Sequence, residues 1–390
     1  MLTNGLVGAA TNYFPANALT RNAMSVILNR FMGSMLAQPA APVCSAAPFT
    51  DVPAADSSCA AIQRRKAMGL SRVLTTSTTF TPSKAMARAE VVTLLYQLSH
   101  RVRVATYNVR LSCVEDDLKV AGRPWQDRSA QVAQTILAAA PDVIGLQEAS
   151  GVRYALDKTA AGTTSPVVSK CADVGNTGAA TQLGDLIAQL ASGGYTKISE
   201  KGGVAILIKN ATVANVQAAT PVPIQSQYLL SARLKLKMTG TQFTFATTHL
   251  LYEAAAAKEA TAHDCNLAAT QQTQLIQTTL KTTTGPMVLA GDFNSPFSGT
   301  CTSHAKITTT AHNVGIPLTD AQTRSASGAV GGDKGTTNGW GVPGSTANKY
   351  DRIFVSGSMP VLTWVNVVPT KTGPPYTSDH DLVYSDTLLP

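Results

Sequence analysis

Pro286-Met287-Val288-Leu289-Ala290-Gly291-Asp292-Phe293-Asn294 is the stretch whose reading decides the fold. Met287 to Ala290 is an apolar run of strand length, and Gly291 ends it. Asp292 and Asn294 then stand two apart, so on extended backbone both side chains leave on one face. A carboxylate and a carboxamide carried into the mouth of a buried strand need partners, and a metal or substrate supplies them. The bland alternative is an Asx turn that closes the strand.

Working outward, the same pattern recurs. Arg101 to Val109 alternates Val102, Val104, Thr106 and Asn108 against Arg103, Ala105 and Tyr107, which predicts a strand ending in Asn108. Val143-Ile144-Gly145-Leu146 is a short buried strand that runs into Gln147-Glu148. Val204 to Ile208 and Tyr228 to Lys237 are further strands, and Phe243, Phe245, Thr247 and His249 share one face of another. Tyr350 to Val355 and Leu382 to Tyr384 supply the last strands, with Tyr376-Thr377-Ser378-Asp379-His380 just before the final one. Trp125 to Ala140 has helical apolar spacing stopped by Pro141-Asp142, and Glu253 to Lys281 reads as mostly helical with Cys265 as its anchor. Helices alternate with strands, yet several strands follow one another through tight turns. That mixture predicts an α/β fold of two layered sheets rather than one doubly wound parallel sheet.

Composition bounds the function. Of 390 residues, 44% are apolar and 14% charged, which suits a folded chain with a sizeable core. The longest apolar runs fall far short of the roughly 18 to 20 residues of a membrane span. Met1 to Ala10 lacks a basic segment followed by an apolar core, so no signal peptide is visible. The net charge of +8 divides into +5 over residues 1–100 and +3 over the remaining 290, so the high pI is a weak argument that the larger part binds nucleic acid. Six cysteines (Cys44, Cys59, Cys113, Cys171, Cys265, Cys301) contain no C-x-x-C, which argues against a zinc knuckle or a thioredoxin-like site. Their even number suits an exported protein with disulfides; pairing of nearest neighbours is one of about fifteen possibilities, beside free buried thiols.

The first hundred residues hold an internal repeat. Phe14-Pro15 followed by Leu19-Thr20-Arg21-Asn22-Ala23-Met24 recurs as Phe80-Thr81-Pro82 followed by Met86-Ala87-Arg88-Ala89-Glu90, and the second copy has an upstream half, Phe49-Thr50-Asp51-Val52-Pro53, then Met68-Gly69-Leu70. This pattern resembles the S-layer homology repeat, as a partial repeat over 1–33 and a whole one over 48–98, joined by an Ala/Pro linker at 34–47. The resemblance implies a small all-α region that binds cell-wall polysaccharide through Arg21 and Arg88, in an extracellular, wall-associated protein. A chain that begins in mid-repeat without an export signal is expected to be incomplete at its N-terminus.

From residue 101 to 390 the polar strand ends appear in an order that resembles another family. Tyr107-Asn108-Val109-Arg110, Leu146-Gln147-Glu148, Thr248-His249-Leu250, Gly291-Asp292-Phe293-Asn294, Asp351-Arg352-Ile353 and Ser378-Asp379-His380 resemble the endonuclease/exonuclease/phosphatase superfamily, the deoxyribonuclease I-like hydrolases. The resemblance implies a four-layer α/β/β/α sandwich and a Mg2+-dependent phosphodiesterase, with Mn2+ or Ca2+ as possible substitutes. It implies that Glu148, with Asn108 and Asp379, holds the metal, and that Asp292 and Asn294 orient water and phosphate. His380, oriented by Asp351, would act as general base or transition-state stabiliser, and His249 as the second histidine of the nuclease, sphingomyelinase and inositol-phosphatase branches. Carboxylates suit this chemistry because Mg2+ prefers hard oxygen ligands and keeps its own waters. Arg110, on the face of Asn108, is the expected phosphate donor.

Three functions follow from these expectations. The first is a secreted, monomeric nuclease acting on DNA or RNA without base readout, with Arg110, Arg123, Arg128, Arg153, Lys349 and Arg352 as candidate phosphate contacts. The second is a sphingomyelinase or phospholipase C-like enzyme or an inositol-phosphate phosphatase, for which Trp340 and Trp364 are the candidate membrane-entry aromatics. The third is a cell-surface anchoring protein whose hydrolase part is secondary.

Overall fold

The computed structural model describes residues 18–35, 43–70, 78–112, 114, 117, 120–149, 181–224, 227–250, 273, 276, 280–281, 283–295, 303–308, 318–341, 349–357, 359–369, 374 and 376–390. Arg153, Cys113, Cys171, Cys265, Cys301, the Phe14-Pro15 turn and most of the helix expected over 253–281 lie outside the described residues.

Two sheets carry the larger part of the chain. The first runs from edge to edge as β10 (Ala329–Val330), β12 (Val361–Val367), β13 (Leu382–Leu388), β1 (Arg101–Asn108), β2 (Val143–Gln147), β4 (Val204–Lys209) and β3 (Tyr195–Lys201). The second runs β5 (Val213–Ile224), β6 (Gln227–Leu236), β7 (Gln242–His249), β8 (Met287–Asp292), β11 (Asp351–Ser356) and β9 (Leu318–Asp320). Strand alternation puts them face to face. Val102 and Val104 of β1, Phe243 and Phe245 of β7, Val288 and Ala290 of β8, and Ile353 and Val355 of β11 share one core between the sheets. Burying each of the larger of these side chains contributes roughly 1.5–3 kcal/mol.

The odd-numbered residues of β1 face the other way. Ala105 and Tyr107 pack under α4 (Trp125–Ala139) and α5 (Gln182–Leu190), through Trp125, Val132, Ile136, Leu183 and Leu186. Asp127 stands in the first turn of α4, and Ala140 closes the helix in the left-handed region at φ +48°. On the outer face of the second sheet, Ile276, Leu280 and Ile307 of α6 (Ser303–Thr308) cover Leu289, Phe293 and Phe354. The layers are therefore helix, sheet, sheet, helix, the four-layer sandwich expected.

The sequence pattern did not reveal five strands: β9 and β10, at three and two residues, are too short to show alternation, and β3, β5 and β12 escaped for other reasons. β5 carries Pro221 and Pro223 and stands at a sheet edge, where a missing N–H breaks no ladder. β3 is an edge strand too and mostly solvent-facing, so it shows no apolar alternation. β12 alternates only weakly, because both its faces are covered.

In the first hundred residues, α1 (Arg21–Met35), α2 (Cys59–Ala67) and α3 (Arg88–His100) enclose Met24, Leu28, Met32, Ile62, Leu94 and Leu98. The two related segments pair with each other: Thr20 and Ala85 form an antiparallel bridge, and Met86 N donates to Leu19 O. Asp51 accepts from the amides of Phe80 and Thr81 at 2.7 and 2.6 Å, and the Phe49 and Phe80 rings lie 5.3 Å apart. A Cys44–Cys59 disulfide, one of the nearest-neighbour pairs, ties the end of the Ala/Pro stretch to α2. Leu362 of β12 and Leu388 of β13 belong to this same cluster, so the helices are packed on the sheet. α3 ends at His100 and β1 begins at Arg101. Among the described residues, no helix is long and apolar enough to cross a membrane.

Candidate active site

The inward faces of four strands finish in polar residues at the same end of the sandwich. Asn108 ends β1, His249 ends β7, Asp292 ends β8 and Asp351 begins β11, and ladder register places His249 beside Asp292 and Asp292 beside Asp351. Beneath them a neutral layer joins the sheets: Thr106 Oγ1 donates to Gln147 Oε1 at 3.0 Å, and Gln147 Nε2 donates to Thr247 Oγ1 at 3.1 Å. Gly145 permits this approach, since a Cβ there would lie 2.1 Å from Thr247 Oγ1.

Asn108 spans the gap above. Its Nδ2 donates to Glu148 Oε1 and to Asp292 Oδ2, both at 3.0 Å, while its Oδ1 accepts from Arg110 N. Glu148 Oε2 accepts from Leu111 N at 2.9 Å. Asp292 Oδ1 accepts from Asn294 N at 2.9 Å, and Asn294 Nδ2 lies 3.1 Å from His249 Nε2 while donating to Leu250 O. His249 Nε2 is also 3.5 Å from Asp292 Oδ2. On the other side, His380 Nδ1 lies 2.8 Å from Asp351 Oδ2 and 3.8 Å from Asp292 Oδ2. Asp379 Oδ2 pairs with Arg110 at 3.2 Å, and Ser378 Oγ donates to Asn108 O. All eight polar strand ends thus meet in one network.

The backbone is strained at the same place. Arg110, Glu148 and Asn294 have φ of +55°, +55° and +44°, in the left-handed region that side-chain-bearing residues avoid at about 1–2 kcal/mol each.

Electrostatics separates the carboxyls. Burial raises Glu148, but the His249 charge, the Asn108 and Leu111 donors and Arg110 outweigh it, and its pKa lies below the ordinary value. Burial raises Asp351 to about 6 against the pull of His380, and burial also raises Asp379. Burial opposes the charge on His380, yet Asp351 and Asp292 lift its pKa well above the ordinary imidazole value. The Asp351–His380 pair therefore keeps a proton through neutral pH.

The donor set fits a hard cation. Glu148, Asp292, Asp351 and Asp379 crowd around Arg110, His249 and His380, and carboxylate oxygens retain lone pairs after one hydrogen bond each. Asp292, Asp351 and His380 bring ligand atoms within 4.8 Å of one another. The 2.8 Å contact places His380 Nδ1 in a hydrogen bond with Asp351.

Several expected phosphate contacts are interior instead. Arg128 is fully buried and donates to the carbonyls of Arg123, Val109, Arg110 and Thr377, where it joins the two site loops. Lys349 and Arg352 are buried, with Arg352 3.7 Å from Asp320. Arg110 is held by Asp117 at 2.8 Å as well as by Asp379. For Arg128, Lys349 and Arg352 these are corrections with one cause: long cations tie loops together by bonding buried carbonyls and carboxylates; Arg110 stays partly exposed beside Asn108 and Asp379. Trp340 and Trp364 are also buried; the Trp340 ring lies 5.6 Å from that of Tyr376, with Arg123 and Arg128 over its face. Arg21 is buried and donates to Phe80 O and Glu90, whereas Arg88 is exposed. A cavity of about 460 Å³ behind the 376–382 loop is lined by Tyr107, Trp340 and Asp381, and none of the eight polar strand ends lines it.

Two facing sheets with an acid- and histidine-rich layer at one mouth define the phosphoester-hydrolase class of α/β sandwich. The model of the Endonuclease/Exonuclease/phosphatase family matches residues 105–380, and the chain belongs to that family, whose members hydrolyse phosphoester bonds. Solved structures agree on the fold. An endonuclease/exonuclease/phosphatase from Bacteroides vulgatus is similar at TM-score 0.55 and 20% identity, covering 74% of this chain and 99% of its own. A family protein from Bacteroides thetaiotaomicron (TM-score 0.54, 20% identity) covers 74% of this chain and 98% of its own. The mannosyl-6-phosphatase of the same organism (TM-score 0.52, 19% identity) covers 74% and 100%. No curated protein matches the chain.

Proposed function

We propose that the chain is a divalent-cation-dependent phosphodiester hydrolase whose substrate is nucleic acid, cut without base readout. The observation that carries this reading is the Asp351–His380 pair facing, at 3.8 Å, the Asp292 carboxylate that Asn108 ties to Glu148. Glu148 and Asp379 would hold Mg2+, with Mn2+ or Ca2+ as substitutes, and Asn108 would orient Glu148. Such an ion, when bound, would supply Lewis-acid charge at a phosphate oxygen.

The chain's own groups do the rest. Asp292, backed by the Asn294 amide, orients the attacking water toward phosphorus. Asn294 and His249 donate to phosphate oxygens. His380, kept protonated by Asp351, stabilises the charge that develops as the P–O bond to the leaving group breaks. His249 beside Asn294 favours the branches with a second histidine.

The buried Trp340 and Trp364 leave a phospholipase C-like enzyme without its membrane-entry aromatics among the described residues, so sphingomyelin and inositol phosphates are the second reading. A phosphomonoester is the third, because a mannosyl-6-phosphatase shares the fold. On the same proposal the protein is exported and monomeric, and wall polymer is held by exposed Arg88; Arg21, committed to Glu90, supports that surface from below. Sedimentation with purified wall polysaccharide, lost in Arg88→Ala, is the expected result, and equal binding by the variant removes Arg88 from the proposal.

The deciding experiment incubates purified protein with plasmid DNA, RNA, sphingomyelin vesicles, inositol phosphate and mannose 6-phosphate, each with Mg2+ and with chelator. Mg2+-dependent nicking that His380→Ala abolishes is the expected result. Intact nucleic acid with phosphate or choline phosphate released elsewhere overturns the substrate assignment. Turnover undiminished by chelator overturns the metal.

A further inference from the structure

We infer that Thr336 is a positioning residue that holds Asp351 and His380 in register; this rests on reading that pair as the reacting dyad. The two partners come from different sheets, Asp351 from β11 and His380 from the loop before β13. Something besides their own hydrogen bond must set their relative position.

The segment 336–338 lies between them. Thr336 is fully buried, and its Oγ1 accepts from Tyr350 N and Asp351 N, both at 3.0 Å. Both acceptor sites of the hydroxyl therefore serve the start of β11. Its backbone carbonyl points the other way and accepts from Asp381 N at 2.7 Å. The next residue, Thr337, forms an antiparallel bridge with His380 itself. Asn338 then closes the clamp: its N donates to Asp379 O at 2.7 Å and its Nδ2 to Asp381 Oδ1 at 2.8 Å. One threonine is thus bonded through its side chain to the carboxylate strand and through its backbone to the histidine loop. Misplacement of a reacting group by about 1 Å can cost about 100-fold in rate, so a clamp of this kind acts on kcat.

The test compares Thr336→Val, which keeps the shape and loses the hydroxyl, with Thr336→Ser, which keeps the hydroxyl. The assay uses whichever phosphate ester the wild type hydrolyses, at saturating Mg2+, with a thermal melt on each variant. The expected result is a kcat lower by about 10- to 100-fold in Thr336→Val, with KM within about twofold and most of the rate restored in Thr336→Ser. Asn338→Ala, at a half-exposed position, should give the same split at about three- to tenfold, and it decides the matter if Thr336→Val does not fold. A wild-type kcat in Thr336→Val, or in Asn338→Ala if the valine variant is unfolded, overturns the inference while His380→Ala is inactive. Activity surviving in His380→Ala overturns the dyad reading and this inference with it.

Discussion

The two ends of β1 both bury charge, in opposite ways. At its start, Arg101 and Arg103 meet Asp386 at 3.0 and 2.8 Å, Arg103 binds both Asp386 oxygens, and Asp142 accepts from Arg103 N. Arg103 also donates to Ala139 O and lies 4.3 Å over the Tyr384 ring. Arg103 is bidentate there, and cations outnumber the two acids. At its end, Asn108 joins two carboxylates, further acids stand nearby, and three neighbouring backbones are strained. In the first cluster each acid meets at least one guanidinium. The second gathers four carboxylates around one guanidinium and two imidazoles, the donor set that a site for a cation and a phosphate requires. Burial alone does not distinguish structure from function; the excess of acids over cations does.

The largest test of this contrast is His380→Ala or His249→Ala. Either should lower turnover by about 10²- to 10⁴-fold while the melting temperature moves by a few degrees at most, as initial rates and calorimetry would show. A near wild-type rate removes that histidine from the site.

Asp386→Asn should do the reverse. It leaves two buried guanidiniums short of a counter-charge and should cost about 3–5 kcal/mol in urea unfolding, with the rate per folded molecule unchanged.

The pH dependences should also run in opposite directions. Burial raises Asp386, but Arg101 and Arg103 bring it below the ordinary carboxylate value, so its stabilisation is full above about pH 4 and is lost as pH falls through the depressed value. His380 is raised, so its contribution is full below about pH 6.5 and is lost as pH rises through the raised value. Melts across pH should show Asp386→Asn flattening the acid limb and Asp351→Asn the alkaline one. The same slope in wild type and variant would break the assignment.

The smallest expected effect is at Gly145, between the two clusters. Gly145→Ala should cost about 1–3 kcal/mol by parting the sheets at Thr247, and it should lower turnover more than Val143→Ala, which leaves that contact alone.

Legibility followed the range of the interactions. The inward residues Asn108, His249, Asp292 and Asp351 were readable because alternation is local: a strand with an apolar face and a polar last residue announces which side chain enters the mouth. Glu148, Asn294 and His380 followed from adjacency to such ends. Thr336, Asn338 and Arg128 were not readable, because their roles rest on bonds to carbonyls and amides that the fold brings in from elsewhere. Nor was the pairing of Arg103 with Asp386, 283 residues apart. Arg128, Lys349 and Arg352 looked like surface cations for the same reason.

The sequence by itself determined the class of fold, the faces of its strands and the acids and histidines at their ends, since these depend on a two-residue period and on side-chain chemistry. Only the tertiary structure decided which charges are saturated, which carboxylates face each other across the sheets and which threonine holds the dyad. Those outcomes depend on strand order and register, which join residues far apart in the chain.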